Sequence, residues 1–372
     1  MNADLRKLAD EFFEHLLETQ PSNAHMLGDY RYMDRVEDAS RAGEDAVIAA
    51  LRGFSARAKA FDPDELDGPG KITRETLIYE CDTTIRVTEM RQAEFGVDPI
   101  FGPQAVFQVA IPQMSVETAE HADKMLAKYS AIAGMIDQTT ERLREGIANG
   151  RVNADFAVTK TVEQLDAMLG APAEDSAFLT AQIPSEFSEE DTAAWRAKAV
   201  DIVTSQIFPA FERYRDVIRD EVGPVARSDE EAGLKYLPDG DLVYMRLIEK
   251  YTTLPMQAEE IHEIGLQQIE KLNQEYLKVA EKKKNTFQIW AAHQLKGMIA
   301  LQEKDYKVAA DVLKMANVQN PYNLYRIALA YDGLGDKASA KEYCKKAAHH
   351  NTLNSMQYAF MRHKAEKMLQ TL

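Results

Sequence analysis

The feature that most restricts the fold of this chain is a repeat of small residues near its C-terminal end. Three pairs of residues show it, each 31 positions apart: Gly297 and Ala328, Ala309 and Ala340, and Ala316 and Ala347. A fixed period of this length is typical of supersecondary units that stack and bury their faces against one another. The spacing of the apolar residues between them predicts five helices: Thr286–Glu303, Tyr306–Asn317, Tyr322–Leu334, Lys337–His349 and Ser355–Thr371.

The charge balance of the chain changes near residue 273. Residues 273–372 contain 16 Lys and Arg against 9 Asp and Glu, whereas residues 1–272 contain 28 against 51. A difference of this size between segments indicates separate domains. No Pro-, Gly- or Ser-rich linker accompanies the change, because an apolar helical spacing continues from Gln257 to about Lys284. One helix is therefore expected to cross the charge boundary.

These observations predict an all-α protein with three parts. An acidic helical bundle occupies residues 1–256, a shared connecting helix residues 257–285, and a short α-solenoid with a terminal capping helix residues 286–372. Almost every segment of the acidic part has helical spacing. The exception is the apolar run Ala105–Ile111 after a turn-rich stretch, where a short strand is an alternative. A kink or break is expected at Pro209, inside a long helical segment.

Composition limits the classes of partner and compartment. A net charge of −16 argues against binding to the phosphate backbone of nucleic acid. No stretch has the roughly 18 apolar residues that a membrane span needs, and the first residues lack the apolar segment of a secretory signal. The two cysteines, Cys81 and Cys344, are expected to be free thiols, which favours a reducing, cytoplasmic location. No cofactor motif is recognised.

The repeat resembles the tetratricopeptide repeat family. The residues that carry the resemblance are, in the first copy, Gly297, Tyr306, Ala309, Leu313, Ala316 and Pro321, and in the second copy Ala328, Tyr331, Gly335, Ala340, Cys344, Ala347 and Thr352. The resemblance implies a scaffold that binds a peptide or protein on the concave surface formed by the first helix of each pair. On that surface the candidate binding residues are Gln294, Met298, Leu301, Tyr325, Leu329 and Asp332. The alternative is that these side chains face solvent or the other domain.

Residues 1–272 resemble the N-terminal half of a bacterial family, domain-of-unknown-function family 885. The resemblance rests on five segments of the sequence, at residues 27–31, 72–75, 98–103, 142–146 and 258–266. It implies a relationship to zinc metallopeptidases, whose HExxH helix places two His ligands one helical turn apart. The nearest segment here, His262-Glu263-Ile264-Gly265-Leu266, has Leu266 at the position of the second ligand, so no metal site is predicted.

Other catalytic patterns are incomplete. Glu259 and His262 have the spacing of a di-iron half-site, but no second such pair follows. The segment Gly68–Thr73 lacks the leading Gly and the adjacent Ser or Thr of a phosphate-binding loop. No Gly-x-Ser-x-Gly sequence occurs. No catalytic residue is predicted, although the sequence leaves open whether a distant acid/base pair assembles within residues 1–272.

Half of one family joined inside a helix to part of another is unusual for a natural gene, because natural fusions usually join at loops. The sequence therefore predicts an engineered chimera in which the two parts share one helix. The function predicted from sequence is therefore a non-enzymatic helical scaffold that retains at most peptide or protein binding on its repeat. The alternative is a zinc-dependent hydrolase like the family that the first half resembles. Self-association is also expected, because the loss of a catalytic half would leave apolar surface exposed.

Overall fold

Helices account for the regular secondary structure of this protein. The computed structural model describes residues 2–350 and 358–372, and within these residues the backbone forms helices and one isolated bridge, Ala154 to Arg227, with no β-strand. The predicted all-α class is confirmed. The contacts divide the chain into two compact units, Met1–Met256 and Gln257–Leu372, called here the first and the second unit.

The first unit contains ten of the described α-helices, with short 3₁₀ or π-helical turns between several of them. They are α1 (Ala3–Thr19), α2 (Pro21–Met26), α3 (Arg41–Lys59), α4 (Gly68–Thr88), α5 (Pro103–Ala110), α6 (Ala119–Ala148), α7 (Asp155–Leu169), α8 (Glu189–Ile202), α9 (Phe208–Val217) and α10 (Gly240–Thr252). Several begin at a side chain that accepts a hydrogen bond from the first turn: Asn2, Ser40, Asp67, Thr118 and Ser188. Each such cap satisfies a backbone N–H that has no partner within the helix.

The long helix α6 organises the larger core of the first unit. Its residues Tyr129, Ile132 and Ile136 are fully buried, and it packs against α8 and α9. The polar atoms of two large aromatic residues of this core, Tyr129 and Trp195, find backbone partners. The Tyr129 hydroxyl donates to the Phe178 carbonyl at 2.5 Å, and Trp195 Nε1 donates to the Ala122 carbonyl at 2.9 Å. These bonds allow aromatic residues to be buried without an unsatisfied donor.

Two local expectations for the first unit are resolved by the backbone. The run Ala105–Ile111, for which a strand was an alternative, lies almost entirely in helix α5. Gly102 precedes this helix and Pro103 occupies its first turn, where a missing N–H costs nothing. Pro209 lies in the first turn of α9, directly after a π-helical turn at Val203–Ile207. The change of register at that turn accommodates the proline without a break in the helical path.

The second unit contains six described α-helices. They are α11 (Ala258–Lys282), α12 (Thr286–Gln302), α13 (Tyr306–Leu313), α14 (Pro321–Gly333), α15 (Lys337–Ala348) and α16 (Tyr358–Leu369). Each helix packs against the next, and α12 also packs against α14 and α14 against α16. The described helices agree with the predicted ones within a few residues. Helix α13 ends at Leu313, four residues before the predicted Asn317, because i to i+3 hydrogen bonds tighten its last turn.

Small residues lie where the helices of the second unit approach one another. All six residues of the 31-residue repeat are buried. A side chain added at Gly297 would collide with Leu313, and one added at Gly333 would collide with the Tyr306 ring. These glycines therefore allow close helix packing. The predicted start of the last helix, Ser355, and the repeat position Thr352 lie outside the described residues.

Candidate functional site

The six candidate binding residues lie on the first helices of two successive helical pairs. Helix α12 carries Gln294, Met298 and Leu301, and helix α14 carries Tyr325, Leu329 and Asp332. Within each helix the three residues are separated by four and then three positions, which places them on one side of that helix. Because α12 packs directly beside α14, the six residues, called here the repeat face, belong to two adjacent helices.

The side chain of Asn323 connects the two helices of the repeat face. Asn323 Nδ2 donates to Gln294 Oε1 at 3.0 Å and to the Asn317 carbonyl at 3.0 Å. Its Oδ1 accepts from Arg326 Nη1 at 3.1 Å, and the residue is fully buried. Sequence reasoning missed this residue, although an Asn in the first turn of a helix was a visible signal. Its amide fixes the position of Gln294 against α14.

The members of the repeat face differ in how accessible they are. Met298 and Leu329 are exposed, at 38% and 37% of their full surface. Leu301 and Tyr325 pack against the cores of their own helical pairs, and burial raises the pKa of the Tyr325 hydroxyl. Asp332 pairs with Lys337 at 2.5 Å. The face therefore offers two exposed apolar side chains, with polar groups at its edges that already have intramolecular partners.

In the first unit, charged side chains converge where the sequence suggested no site. Eight residues form an arginine–carboxylate network: Arg41, Glu44, Asp45, Arg91, Glu94, Arg142, Glu145 and Arg151. Arg142 Nη2 donates to Glu44 Oε2 at 2.7 Å, and Glu94 accepts from Arg41 at 2.8 Å and from Arg151 at 3.2 Å. A hydrogen bond from Arg91 lowers the pKa of Asp45.

This network brings together carboxylates that are distant in the sequence, as an acid/base pair within residues 1–272 would require. Glu44, Glu94 and Glu145 do come together in space, from three separate segments of the chain. Each of them is ion-paired with at least one arginine, and Arg142 and Glu94 are almost fully buried. Carboxylates paired in this way connect the helices that carry them. Their arrangement fits cross-linking of the fold better than proton transfer.

The structure locates the two residues considered for metal binding and the two cysteines. His262 and Glu259 are exposed on α11, and within residues 2–350 and 358–372 no three His, Cys, Asp or Glu side chains are grouped to hold a metal ion. Both cysteines are buried. Burial raises the pKa of the Cys81 thiol to about 11, which keeps it protonated and unreactive at neutral pH.

Comparison with known proteins places the chain in a family. It matches the family model described as "Bacterial protein of unknown function (DUF885)" over residues 21–325. The chain belongs to this family. The match covers most of the first unit and extends beyond residue 272, where the sequence resemblance ended, to the first turn of α14. No curated protein matches the chain.

One solved structure extends the comparison to the fold. A crystal structure described as "the putative lipoprotein from Colwellia psychrerythraea" is similar with a TM-score of 0.67 at 14% sequence identity. The similarity covers 87% of this chain and 59% of that one, so this family member spans little more than half of the length of its structural neighbour. At this identity the similarity concerns the fold alone. Among the described helices, none is long and apolar enough to cross a membrane.

Proposed function

We propose that this protein acts by binding and not by catalysis, and that the repeat face receives an extended or helical peptide segment of a partner protein. In this proposal the second unit is a tetratricopeptide-type α-solenoid. The observation that carries it is the pair of exposed apolar side chains, Met298 and Leu329, on two adjacent helices whose positions are fixed by the Asn323–Gln294 hydrogen bond. Apolar anchors on a rigid surface are typical of peptide recognition.

The order of packing supports the solenoid. Each of the helices α12 to α15 contacts its successor, and the first helices of successive pairs contact each other. This order of contacts is the one expected of stacked helical pairs, in which each pair touches only its neighbours. Helix α11 packs against α12 at the start of the array, where a stack of so few repeats needs its first face covered.

Peptide selection with matched variants tests the proposal. A random peptide library is selected against the whole protein, and the affinity of an enriched peptide is measured by fluorescence anisotropy. Leu329→Glu is expected to weaken binding about tenfold or more, as loss of an apolar anchor does. Met315→Glu changes an exposed methionine outside the repeat face and is expected to leave affinity within about twofold. Absence of any enriched peptide, or equal losses in both variants, would contradict the proposal.

A zinc-dependent hydrolase is the second candidate function. It is the alternative that the sequence resemblance of residues 1–272 implies. Within the described residues a hydrolytic site would need ligands other than His262, whose helix carries Leu266 one turn further on. Zinc content and chelator-sensitive peptide cleavage distinguish this candidate from the binding scaffold.

We also propose that the chain is a chimera, with the repeat derived from a different protein than the acidic unit. The change of charge near residue 273 supports this, whereas the family match through residue 325 favours a single origin. The two tryptophans provide a test of modularity, because Trp195 lies in the first unit and Trp290 in the second. Urea unfolding of Trp195→Phe and Trp290→Phe proteins is expected to give two different midpoints. Coincident midpoints would contradict a modular fusion.

A further inference from the structure

A cavity of about 640 Å³ that opens to solvent lies within the first unit, and neither the family description nor the function proposed above uses it. Its walls come from α2, α3, α5 and α6 and are mainly apolar. Among the lining side chains are Val47, Phe107, Ala110, Met114 and Met135. Cavities of this volume with apolar walls and a few polar groups are the usual form of small-molecule sites.

The polar feature of this cavity is the side chain of Arg142, a residue 1% exposed. Its Nη2 donates to Glu44 and its Nη1 to Glu145. Its Nε is buried and has no hydrogen-bond partner among the described residues. Leaving a buried donor of a charged group unpaired is unfavourable, so an acceptor supplied by a ligand would be stabilising there.

The surrounding charges specify what kind of acceptor fits. The arginine–carboxylate network contains four arginines and four carboxylates and is therefore neutral. A carboxylate or phosphate on the ligand would add an uncompensated charge in a buried place. Glu37, Asp38 and Glu44 also line the cavity and would repel an anion. An uncharged oxygen accepts the hydrogen bond without this penalty.

Two further polar side chains of the lining, Ser22 and Glu37, are bonded to each other. Ser22 donates to Glu37 from both its backbone N–H, at 3.0 Å, and its hydroxyl, at 2.9 Å. At the surface Met26, Phe101 and Val106 are exposed, at 47%, 78% and 41%. Apolar side chains of this size left accessible beside an apolar cavity provide favourable contact for an apolar molecule that enters it.

We propose that this cavity is a binding site for an uncharged, mainly apolar small molecule that presents one carbonyl-type oxygen to Arg142 Nε. The apolar body occupies the space between α5 and α6. The site lies entirely within the first unit and so does not depend on the peptide-binding function proposed for the second.

Three naphthalene derivatives of nearly equal size test the proposed chemistry on the whole protein. They are 2-acetylnaphthalene, which has a ketone oxygen, 2-ethylnaphthalene, which lacks it, and 2-naphthoate, which is an anion. Dissociation constants are measured by ligand-observed NMR. The ketone is expected to bind about tenfold or more tightly than the hydrocarbon, the ratio typical of a hydrogen bond to a charged group. It is also expected to bind more tightly than the anion.

Two variants of helix α5 test whether the ketone binds in this cavity. Ala110→Phe fills the cavity from its wall and is expected to reduce ketone affinity at least tenfold. Val109→Phe places the same side chain at the neighbouring position, which is exposed and does not line the cavity, and is expected to leave affinity unchanged. Thermal unfolding by circular dichroism verifies that both variants fold. Absence of ketone binding, equal affinity for ketone and hydrocarbon, or equal losses in the two variants would each overturn the proposal.

Discussion

The two units of this protein bury different kinds of side chain. In the first unit the largest fully buried side chains include Arg142, Lys128 and Tyr129, so polar groups are enclosed and must find partners. In the second unit the two buried clusters consist mainly of alanines, together with Leu313, Ile327, Leu324 and Cys344. The first unit therefore depends on specific pairing of charges, and the second on the close approach of helices.

The largest change in stability is expected from a substitution that breaks the arginine–carboxylate network of the first unit. Arg142→Met removes the cation that lies among Glu44, Glu94 and Glu145. We expect the free energy of unfolding of the first unit to fall by about 3–5 kcal/mol, because the buried Glu94 and the partly buried Glu44 and Glu145 lose one of their cations. Urea unfolding, followed by Trp195 fluorescence in a Trp290→Phe background, measures this change.

Arg213→Met is the matched control for that experiment. Arg213 pairs with Asp137 on the same helix α6, but both side chains are about half exposed. Exposed pairs contribute about 0–1 kcal/mol, so the loss is expected to stay in that range. Similar losses in the two variants would show that burial of the network does not determine the stability of the first unit.

The next largest expected change is a dependence of the stability of the first unit on pH, caused by the buried Lys128. Burial lowers the pKa of its ammonium from 10.5 to about 8, partly offset by Glu37 and Asp34. A lowered pKa means that the unfolded chain holds this proton more tightly than the folded one, so the free energy of unfolding rises with pH between about 8 and 10.5. The total rise is on the order of 3 kcal/mol. Below pH 8 the cost of burying the charge is fully present.

A variant isolates this contribution from other groups that titrate in the same range. Lys128→Met is expected to remove the rise, so the difference between wild type and variant changes by that amount between pH 7.5 and 10.5. Urea unfolding at a series of pH values measures it. If both proteins have the same dependence on pH, Lys128 is not a buried ammonium with a lowered pKa.

The second unit is expected to respond to the size of its side chains instead. Gly297→Ala adds a methyl group against the buried side chain of Leu313. Overpacking of this kind costs about 1–3 kcal/mol. Unfolding followed by Trp290 fluorescence in a Trp195→Phe background is expected to show this loss. An unchanged midpoint would mean that the α12–α13 contact adapts without cost.

The smallest expected change is an increase in the stability of the second unit. Gly265 lies in the middle of α11, and a methyl group added there meets no neighbouring atom. Gly265→Ala is therefore expected to stabilise the second unit by roughly 0.5–1 kcal/mol, since alanine is the better helix former. The same fluorescence measurement detects it. A destabilised protein would indicate that α11 is not a regular helix at this residue.

The difference between the two units also explains which features could be predicted from the sequence. In the second unit the interacting residues are close in the chain, so the helices from Thr286 to Ala348 and the buried small residues followed from a short period. In the first unit Arg142 contacts Glu44, 98 positions away. No periodic pattern connects residues at such a distance, and the network and the cavity beside it appear only when the helices are assembled.

Individual side chains were also harder to predict than helices. The helical spacing placed the six residues of the repeat face on α12 and α14, but it gave no sign that Gln294 bonds to Asn323 or that Asp332 pairs with Lys337. The short run at Ala105–Ile111 was ambiguous because an apolar segment of this length suits a strand or a helix. Gly102 and Pro103 before it are the residues that favour the helix.

The central claim is that this protein binds and does not hydrolyse peptides. The most direct test is the zinc content of the purified protein by elemental analysis, together with cleavage of a broad peptide mixture with and without a chelator. The account predicts no stoichiometric zinc and no cleavage that the chelator abolishes. One zinc ion per chain with chelator-sensitive cleavage would contradict it and establish the hydrolase.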